Sequence, residues 1–220
     1  TVDGVILYAM EGVEALVKEF DRLKIRYVSL SVCYSGQDYN FVETDSSYVS
    51  HLATRYMITQ GARRIGLIRE PEGFFHADKA TAEEGYHRAH LEAGLPVDRS
   101  LILAGDYSIV SGYERTCQLL RDYPDIDGIL CMSDPMAMGA LRALREHGLT
   151  PGVDIDFVAG DDFPSTREIW PGLTSIRTPL YEQGYQAGTM IVDYIESGQK
   201  IPGRVLKGEL IVRQSVRSLH

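Results

Sequence analysis

Apolar and polar positions alternate along the chain in a way that predicts short buried strands separated by amphipathic helices. Short apolar runs such as Val2–Leu7, Leu101–Ala104 and Gly128–Met132 have the length of strands. Between two such runs, Ala137, Leu141 and Leu144 recur at the spacing of one helix face. Because strands and helices alternate, we expect an α/β fold with parallel sheets and helices on both faces.

The stretch from residue 126 to residue 163 gives the strongest prediction of a binding edge. The apolar run Gly128–Met132 ends in Ser133-Asp134, and Pro135 suits the first position of the helix that Asp134 is expected to cap. A second apolar strand, Phe157–Ala159, ends in Gly160-Asp161-Asp162. Ligands of open α/β sheets bind at the carboxyl ends of the strands, so these polar groups predict a binding site.

Two further patterns predict local structure. Ser111-Gly-Tyr-Glu114 has the reciprocal arrangement of a capping box, which predicts a helix start with Tyr113, Cys117 and Leu120 on its buried side. The polar stretch Cys33–Asn40 predicts a loop.

Composition excludes several classes of protein. The 220 residues are 44% hydrophobic and carry a net charge of −9, which argues against DNA binding by this stretch alone. No apolar run approaches the roughly 18 residues that cross a bilayer. The three cysteines have no metal-ligand spacing, and Cys131 within its strand predicts a buried reduced thiol, which fits a cytoplasmic protein. Since the sequence has no nucleophile elbow, phosphate-binding loop or zinc spacing, we expect neither an enzyme, a metal nor a cofactor.

Several motifs in order resemble the effector-binding region of LacI/GalR-type transcriptional regulators. They are Val2–Leu7, Gly61–Ile68, Ser133-Asp-Pro-Met-Ala-Met-Gly139, Ile155–Asp162, Leu173-Thr-Ser-Ile-Arg-Thr-Pro179 and Leu210–Ser215. The resemblance implies a two-lobe, type I periplasmic-binding-protein-like fold with a ligand cleft. The implied N-terminal lobe comprises residues 1–42 and a helix at 179–199, and this lobe is incomplete. The C-terminal lobe comprises residues 43–178 and residues 200–220, which supply a strand.

The same resemblance implies partners. We expect a homodimer, to which the Gly12–Lys24 helix contributes, and a small carbohydrate effector. Operator DNA would be bound only through a helix-turn-helix headpiece, which precedes this region in the family. Since the sequence begins at Thr1 without a methionine, we interpret the sequence as truncated. The alternative is a periplasmic sugar-binding protein of a transporter, which shares this fold and would carry a signal peptide instead.

The resemblance also assigns effector-binding residues. Asp162 corresponds to a ligand-binding aspartate of the family, although it could instead cap the turn at Pro164. Ser133 could bond a ligand hydroxyl, whereas Asp134 is expected to be structural. Tyr107 corresponds to an aromatic that stacks on the ligand, and packing is its alternative role. The weaker candidates are Leu180, Ser31 and Phe74.

Two departures from the family pattern bear on the ligand. The family's effector-clamping arginine is replaced by Ala82, so a bidentate clamp is missing there, and Lys79 or Arg69 could substitute for it. Asp161 replaces an aromatic residue, and we expect it to face solvent. The alternative for Asp161 is a change in the electrostatics of the cleft. The missing clamp predicts either an effector that differs from a typical hexose or an unusually weak pocket.

Overall fold

The computed structural model describes residues 2–8, 13–30, 38–72 and 81–218. These residues form two compact units that share the chain. The first unit contains residues 2–45 and 179–207, and the second contains residues 46–72, 81–178 and 208–218. The described chain therefore passes from one unit to the other after residues 45, 178 and 207.

The first unit is a four-stranded parallel sheet with a helix on each face. Its strands follow the order β1 (Gly4–Tyr8), β2 (Arg26–Leu30), β3 (Phe41–Thr44) and β9 (Arg204–Leu206). Its helices are α1 (Val13–Leu23) and α7 (Leu180–Ser197). Side chains alternate between sheet faces, so Tyr27 packs with Val17 of α1, while its neighbour Val28 packs with Met190 of α7.

The second unit is a six-stranded sheet in the order β10-β8-β7-β6-β4-β5. The parallel strands are β4 (Ile65–Arg69), β5 (Ile102–Ala104), β6 (Gly128–Cys131), β7 (Asp156–Ala159) and β8 (Thr174–Arg177), and β10 (Glu209–Ile211) is an antiparallel edge strand. The helices are α2 (Ser46–Thr59), α3 (Ala82–Glu92), α4 (Ile109–Asp122), α5 (Asp134–Glu146) and the short α6 (Pro164–Arg167).

Both faces of this second sheet are covered. Leu67, Leu130 and Val158 pack with the side chains of α2 and α3. Their neighbours Ile68, Ile129 and Phe157 pack with α4 and α5 on the opposite face. The predicted α/β class, with parallel strands and helices on both faces, is confirmed. No helix among the described residues has the length and apolarity needed to cross a membrane.

Several local predictions were wrong. Helix α4 is capped by Ser108, whose hydroxyl accepts the Ser111 amide, so Ser111 lies inside the helix and forms no capping box with Glu114. The capping box is found instead at Thr81 and Glu84 of α3. The buried side of α4 is also displaced by one residue from the predicted stripe, because Thr116 and Leu119 are buried while Cys117 and Leu120 are only partly so.

The strands β3 and β9 were not predicted, and β9 places part of residues 200–220 in the first unit. Both β3 and β9 are short, and they pair with each other from Val42–Arg204 to Thr44–Leu206. Residues 200–220 were assigned to the C-terminal lobe as a whole, whereas β9 belongs to the first unit and only the chain from Gly208 onward belongs to the second. The pairing with β3 is the physical reason for the difference. The predicted Cys33–Asn40 loop lies mostly outside the described residues.

Candidate functional site

The carboxyl ends of the five parallel strands in the second unit lie along one edge of its sheet. In sheet order, these strands lead into Thr178 after β8, Asp161 and Asp162 after β7, Ser133 after β6, Glu70 after β4, and Gly105–Tyr107 after β5. The sequence therefore brings Ser133 and Asp162 to neighbouring strand ends, as predicted from the exits of β6 and β7.

The ends of β6 and β7 approach each other so closely that Gly160 is required between them. A Cβ atom at Gly160 would lie 2.7 Å from the carbonyl of Met132 and 2.8 Å from the Ser133 amide nitrogen. Real Cβ atoms do not come this close to backbone atoms, so any other residue would separate the two strand ends. The next two residues, Asp161 and Asp162, have positive φ angles of 66° and 54°, which turn the chain sharply after β7.

Ser133 and Asp134 organise the start of α5 in a manner different from the prediction. Ser133 is the helix cap, since its Oγ accepts the Met136 amide at 3.4 Å, and it is only 4% exposed. The buried Asp134 carboxylate accepts hydrogen bonds at 2.6 Å from both the Phe163 amide and the Thr166 hydroxyl. The prediction that Asp134 caps its own helix was therefore wrong, because its side chain fastens α5 to α6. Burial raises the pKa of Asp134.

Asp161 is partly buried and does not simply face solvent as predicted. Its carboxylate accepts the Asp134 amide at 3.2 Å and the Thr178 hydroxyl at 3.4 Å, and so joins the ends of β6, β7 and β8. Burial raises the pKa of Asp161 to about 6, because the charged form loses water, and the neighbouring Asp134 carboxylate acts in the same direction.

Asp162 is surrounded by three guanidinium groups, and its side chain is fully buried. Its Oδ1 lies 2.7 Å from Nη2 of Arg213, and its Oδ2 lies 2.8 Å from Nε of Arg177 and 3.4 Å from Nε of Arg167. Burial alone would raise the pKa of this carboxyl group, but the hydrogen bonds from Arg213 and Arg177 hold it below its usual value. The direct partners of Asp162 are thus arginines, and its contact with a ligand stays a prediction.

The other predicted site residues are distributed as follows. Tyr107 has a φ of 64°, precedes the cap of α4 and packs, partly buried, against the core beside that helix. Leu180, 44% exposed, is the first residue of α7 and belongs to the first unit. Ser31, Phe74 and Lys79 lie outside the described residues.

The structure also describes the position of the missing arginine clamp. Ala82 begins α3, and its amide donates to Oε1 of the buried Glu70 at 3.2 Å. Burial raises the pKa of Glu70. Arg69, proposed as a substitute for the clamp, is engaged by Glu72 at 2.5 Å and by Glu83 at 3.5 Å.

The sequence did not single out Arg167, Arg177, Arg213 or Glu70. Arg177 and Arg213 lie within the matched Leu173–Pro179 and Leu210–Ser215 motifs, which was a usable signal, but nothing in the sequence joins any of the three arginines to Asp162. Among the residues that the structure describes, no group of three or more His, Cys, Asp or Glu side chains could hold a metal ion.

The chain crosses repeatedly between two α/β units, and polar groups lie at the strand ends of one sheet. These features define the periplasmic-binding-protein-like class of fold. The family model described as a periplasmic binding protein-like domain matches residues 54–216, and the chain belongs to this family.

The comparisons with curated proteins confirm the resemblance to LacI-type regulators. The HTH-type transcriptional regulator CelR of Thermobifida fusca is 32% identical over 222 residues, covering 97% of this chain and 63% of CelR. The HTH-type transcriptional repressor PurR of Actinobacillus pleuropneumoniae serotype 3 (strain JL03) is 30% identical over 225 residues, covering all of this chain and 66% of PurR. The chain thus spans slightly less than two thirds of these relatives.

Solved structures agree with this assignment. The CelR–cellobiose complex superposes with a TM-score of 0.88 at 30% identity, over 97% of this chain and 66% of that chain. A LacI-family regulatory protein from Chloroflexus aggregans superposes with a TM-score of 0.85 at 29% identity, over 98% of this chain and 77% of that chain.

Proposed function

We propose that this chain is the effector-binding portion of a bacterial LacI-type transcriptional regulator and that its effector is a small sugar or a related metabolite. The observation that carries the proposal is the row of polar groups at the strand ends of the second unit, in a chain that matches CelR over 97% of its length. Ser133, Asp162 and Tyr107 are the proposed contacts in this unit. The solved complex of CelR with cellobiose supports a carbohydrate as the ligand class.

The proposed mechanism is a shift between two conformations of the regulator. An effector that binds one conformation more tightly increases its population, and this changes the DNA affinity of an attached helix-turn-helix segment. We assign DNA binding to such a segment because the sequence itself carries a net charge of −9, whereas binding to DNA phosphates requires positive charge. A regulator of this kind acts in the cytoplasm and catalyses no reaction.

A panel of neutral monosaccharides and disaccharides that includes cellobiose tests this proposal by thermal shift. A ligand present at 100 times its Kd stabilises the folded state by about 2.7 kcal/mol, which raises Tm by roughly 5–10 °C for a chain of this size. Ser133→Ala should weaken binding of the active sugar, whereas Ser100→Ala, in an exposed turn of the same unit, should not. Absence of any shift across carbohydrates and their derivatives would contradict the proposal.

The alternative, a periplasmic sugar-binding protein of a transporter, predicts the same thermal shift. CelR and PurR are named as regulators, which favours a regulator for this chain. The codons preceding Thr1 distinguish the two functions, because a regulator requires a helix-turn-helix segment there and a transporter component requires a signal peptide.

We also propose that the regulator is a homodimer in which α1 contributes to the interface. Leu16 and Leu23 lie two turns apart on α1 and are 37% and 50% exposed. Leu23→Glu should shift the sedimentation equilibrium towards monomer. Leu91→Glu is the matched control, since Leu91 is a 79% exposed leucine on α3 of the second unit. Equal effects of the two substitutions would contradict a role of α1.

A further inference from the structure

Three arginines from separate parts of the chain converge on the single buried carboxylate of Asp162. Arg167 lies on α6, Arg177 ends β8, and Arg213 follows β10. Arg167 also donates from Nε and Nη2 to the backbone carbonyl of Asp162, at 3.1 and 3.0 Å. All three guanidinium groups therefore contact one residue at the end of β7.

The cluster contains more positive than negative charge. Three guanidinium groups and one carboxylate sum to +2. Glu209 lies opposite Arg177 in the β8–β10 pairing, and including it still leaves +1. The nearby carboxylates of Asp161 and Asp134 are directed at amides and hydroxyls around α5 and α6, so they do not neutralise the arginines.

Water reaches the guanidinium groups of this cluster but not its carboxylate. The side chains of Arg167 and Arg177 are 44% and 42% exposed, and that of Asp162 is 0% exposed. Arg177 uses Nε for Asp162, and its Nη1 and Nη2 atoms form no hydrogen bond to any part of the chain that the structure describes. Two parallel N–H donors match the oxygens of a carboxylate or phosphate, to which arginine binds in a bidentate manner.

We propose that the effector carries an anionic group, a phosphate or a carboxylate, that binds Arg177 and Arg167, with Asp162 as the residue that positions both arginines. This inference rests on the proposed function, since it names the chemical class of the same effector. An acidic ligand also accords with the loss of the arginine at Ala82, because the positive charge is supplied from α6 and β8 in place of α3.

Isothermal titration of the chain with three matched sugars tests the inference. Glucose, glucose 6-phosphate and glucuronate share a ring and differ in charge, and the same three forms of cellobiose provide a second series. We expect at least one acidic member to bind about tenfold or more tightly than its neutral parent, which is the effect of one charge-assisted contact. Its affinity should also fall as ionic strength rises.

Variants then assign the contact. Arg177→Gln should weaken binding of the acidic sugar about tenfold or more and leave the neutral parent unchanged, whereas Arg177→Lys should retain part of the discrimination. Arg167→Gln provides a second variant, because Arg167 is the other arginine of the cluster with a side chain more than 40% exposed. Arg121→Gln on α4, which pairs with the exposed Asp122, is the matched control for the loss of one charge.

The outcomes separate this inference from the proposed function. Tighter binding of the neutral sugars than of their acidic forms would overturn the anionic effector and leave the sugar effector standing. Inorganic phosphate that binds as tightly as the sugar phosphate would support the anion site and contradict a sugar effector. If no acidic member binds, or if Arg177→Gln and Arg121→Gln behave alike, the inference fails.

Discussion

Substitution of Asp162 tests the interpretation that this buried carboxylate holds the end of the second sheet together. In Asp162→Asn the side chain keeps its shape and its tolerance of a positive φ, but it loses the charge that faces three arginines. Breaking a fully buried ion pair costs about 3–5 kcal/mol. Since Arg213, Arg177 and Arg167 are 19–44% exposed and can be rehydrated, we expect the smaller loss of about 2 kcal/mol.

The matched control is Asp122→Asn, which removes the carboxylate of an exposed pair whose arginine is 70% exposed. Exposed pairs contribute about 0–1 kcal/mol, so this variant should be close to wild type. Urea unfolding followed by far-UV circular dichroism measures both losses. Hydrogen exchange of peptides spanning β7 and α6 identifies the unit that is destabilised. If Asp162→Asn is no less stable than Asp122→Asn, the reasoning is refuted.

The pH dependence of the same variant gives a second check. The pKa of Asp162 is lower in the folded state than its ordinary value near 3.9. The stabilisation is therefore complete above pH of about 4 and is lost as the pH falls through the folded-state pKa. The difference in unfolding free energy between wild type and Asp162→Asn should be constant from pH 5 to pH 7 and should shrink below about pH 4.

Further predictions address other parts of the chain. The pKa of Asp161 is raised to about 6, so the stabilising contribution of its protonated form is present below a pH of about 4 and is lost as the pH rises through 6. In urea unfolding, Asp161→Asn should therefore be more stable than wild type by on the order of 1 kcal/mol at pH 7.5 and equally stable at pH 4. Gly139→Ala should cost about 2 kcal/mol or more, because the added Cβ would lie 1.9 Å from the Ile109 carbonyl. Gly184→Ala should gain about 0.5–1 kcal/mol in the same assay, because the added Cβ would meet no described atom beyond its own stretch of helix within 4 Å. Cys131, fully buried, should remain unlabelled by a thiol reagent until the protein unfolds, as peptide mass spectrometry would show.

Elements with strong local signals were predictable, and elements that depend on distant pairing were not. The segment from β6 to β7 was predicted because its strands are continuous apolar runs, and every residue of both strands is buried. In contrast, β9 has only three residues, of which two are exposed, so its sequence carries no strand pattern. It forms because β3, some 160 residues earlier, offers backbone groups for pairing, for example at Val42 and Arg204.

The same distinction applies to the candidate site. The positions of Ser133 and Asp162 at a sheet edge follow from where two apolar runs end, which the sequence displays. The surroundings of Asp162 do not, because its arginine partners lie 5, 15 and 51 residues away along the chain. Long arginine side chains can reach a carboxylate from several elements, and only the packing of α6, β8 and β10 determines which of them do.

The turn after β7 explains how two adjacent carboxylates acquire opposite environments. Both residues have left-handed backbone conformations outside the strand, so strand alternation does not determine the directions of their side chains. The turn directs Asp161 towards the Asp134 amide and Thr178, where burial favours the protonated carboxyl group. It directs Asp162 towards Arg213 and Arg177, whose hydrogen bonds favour the charged carboxylate. The two adjacent carboxylates therefore have separate partners and opposite pKa shifts. The arrangement leaves the Arg167 and Arg177 side chains 44% and 42% exposed at the sheet edge, which is the basis of the proposed selection of an anionic ligand.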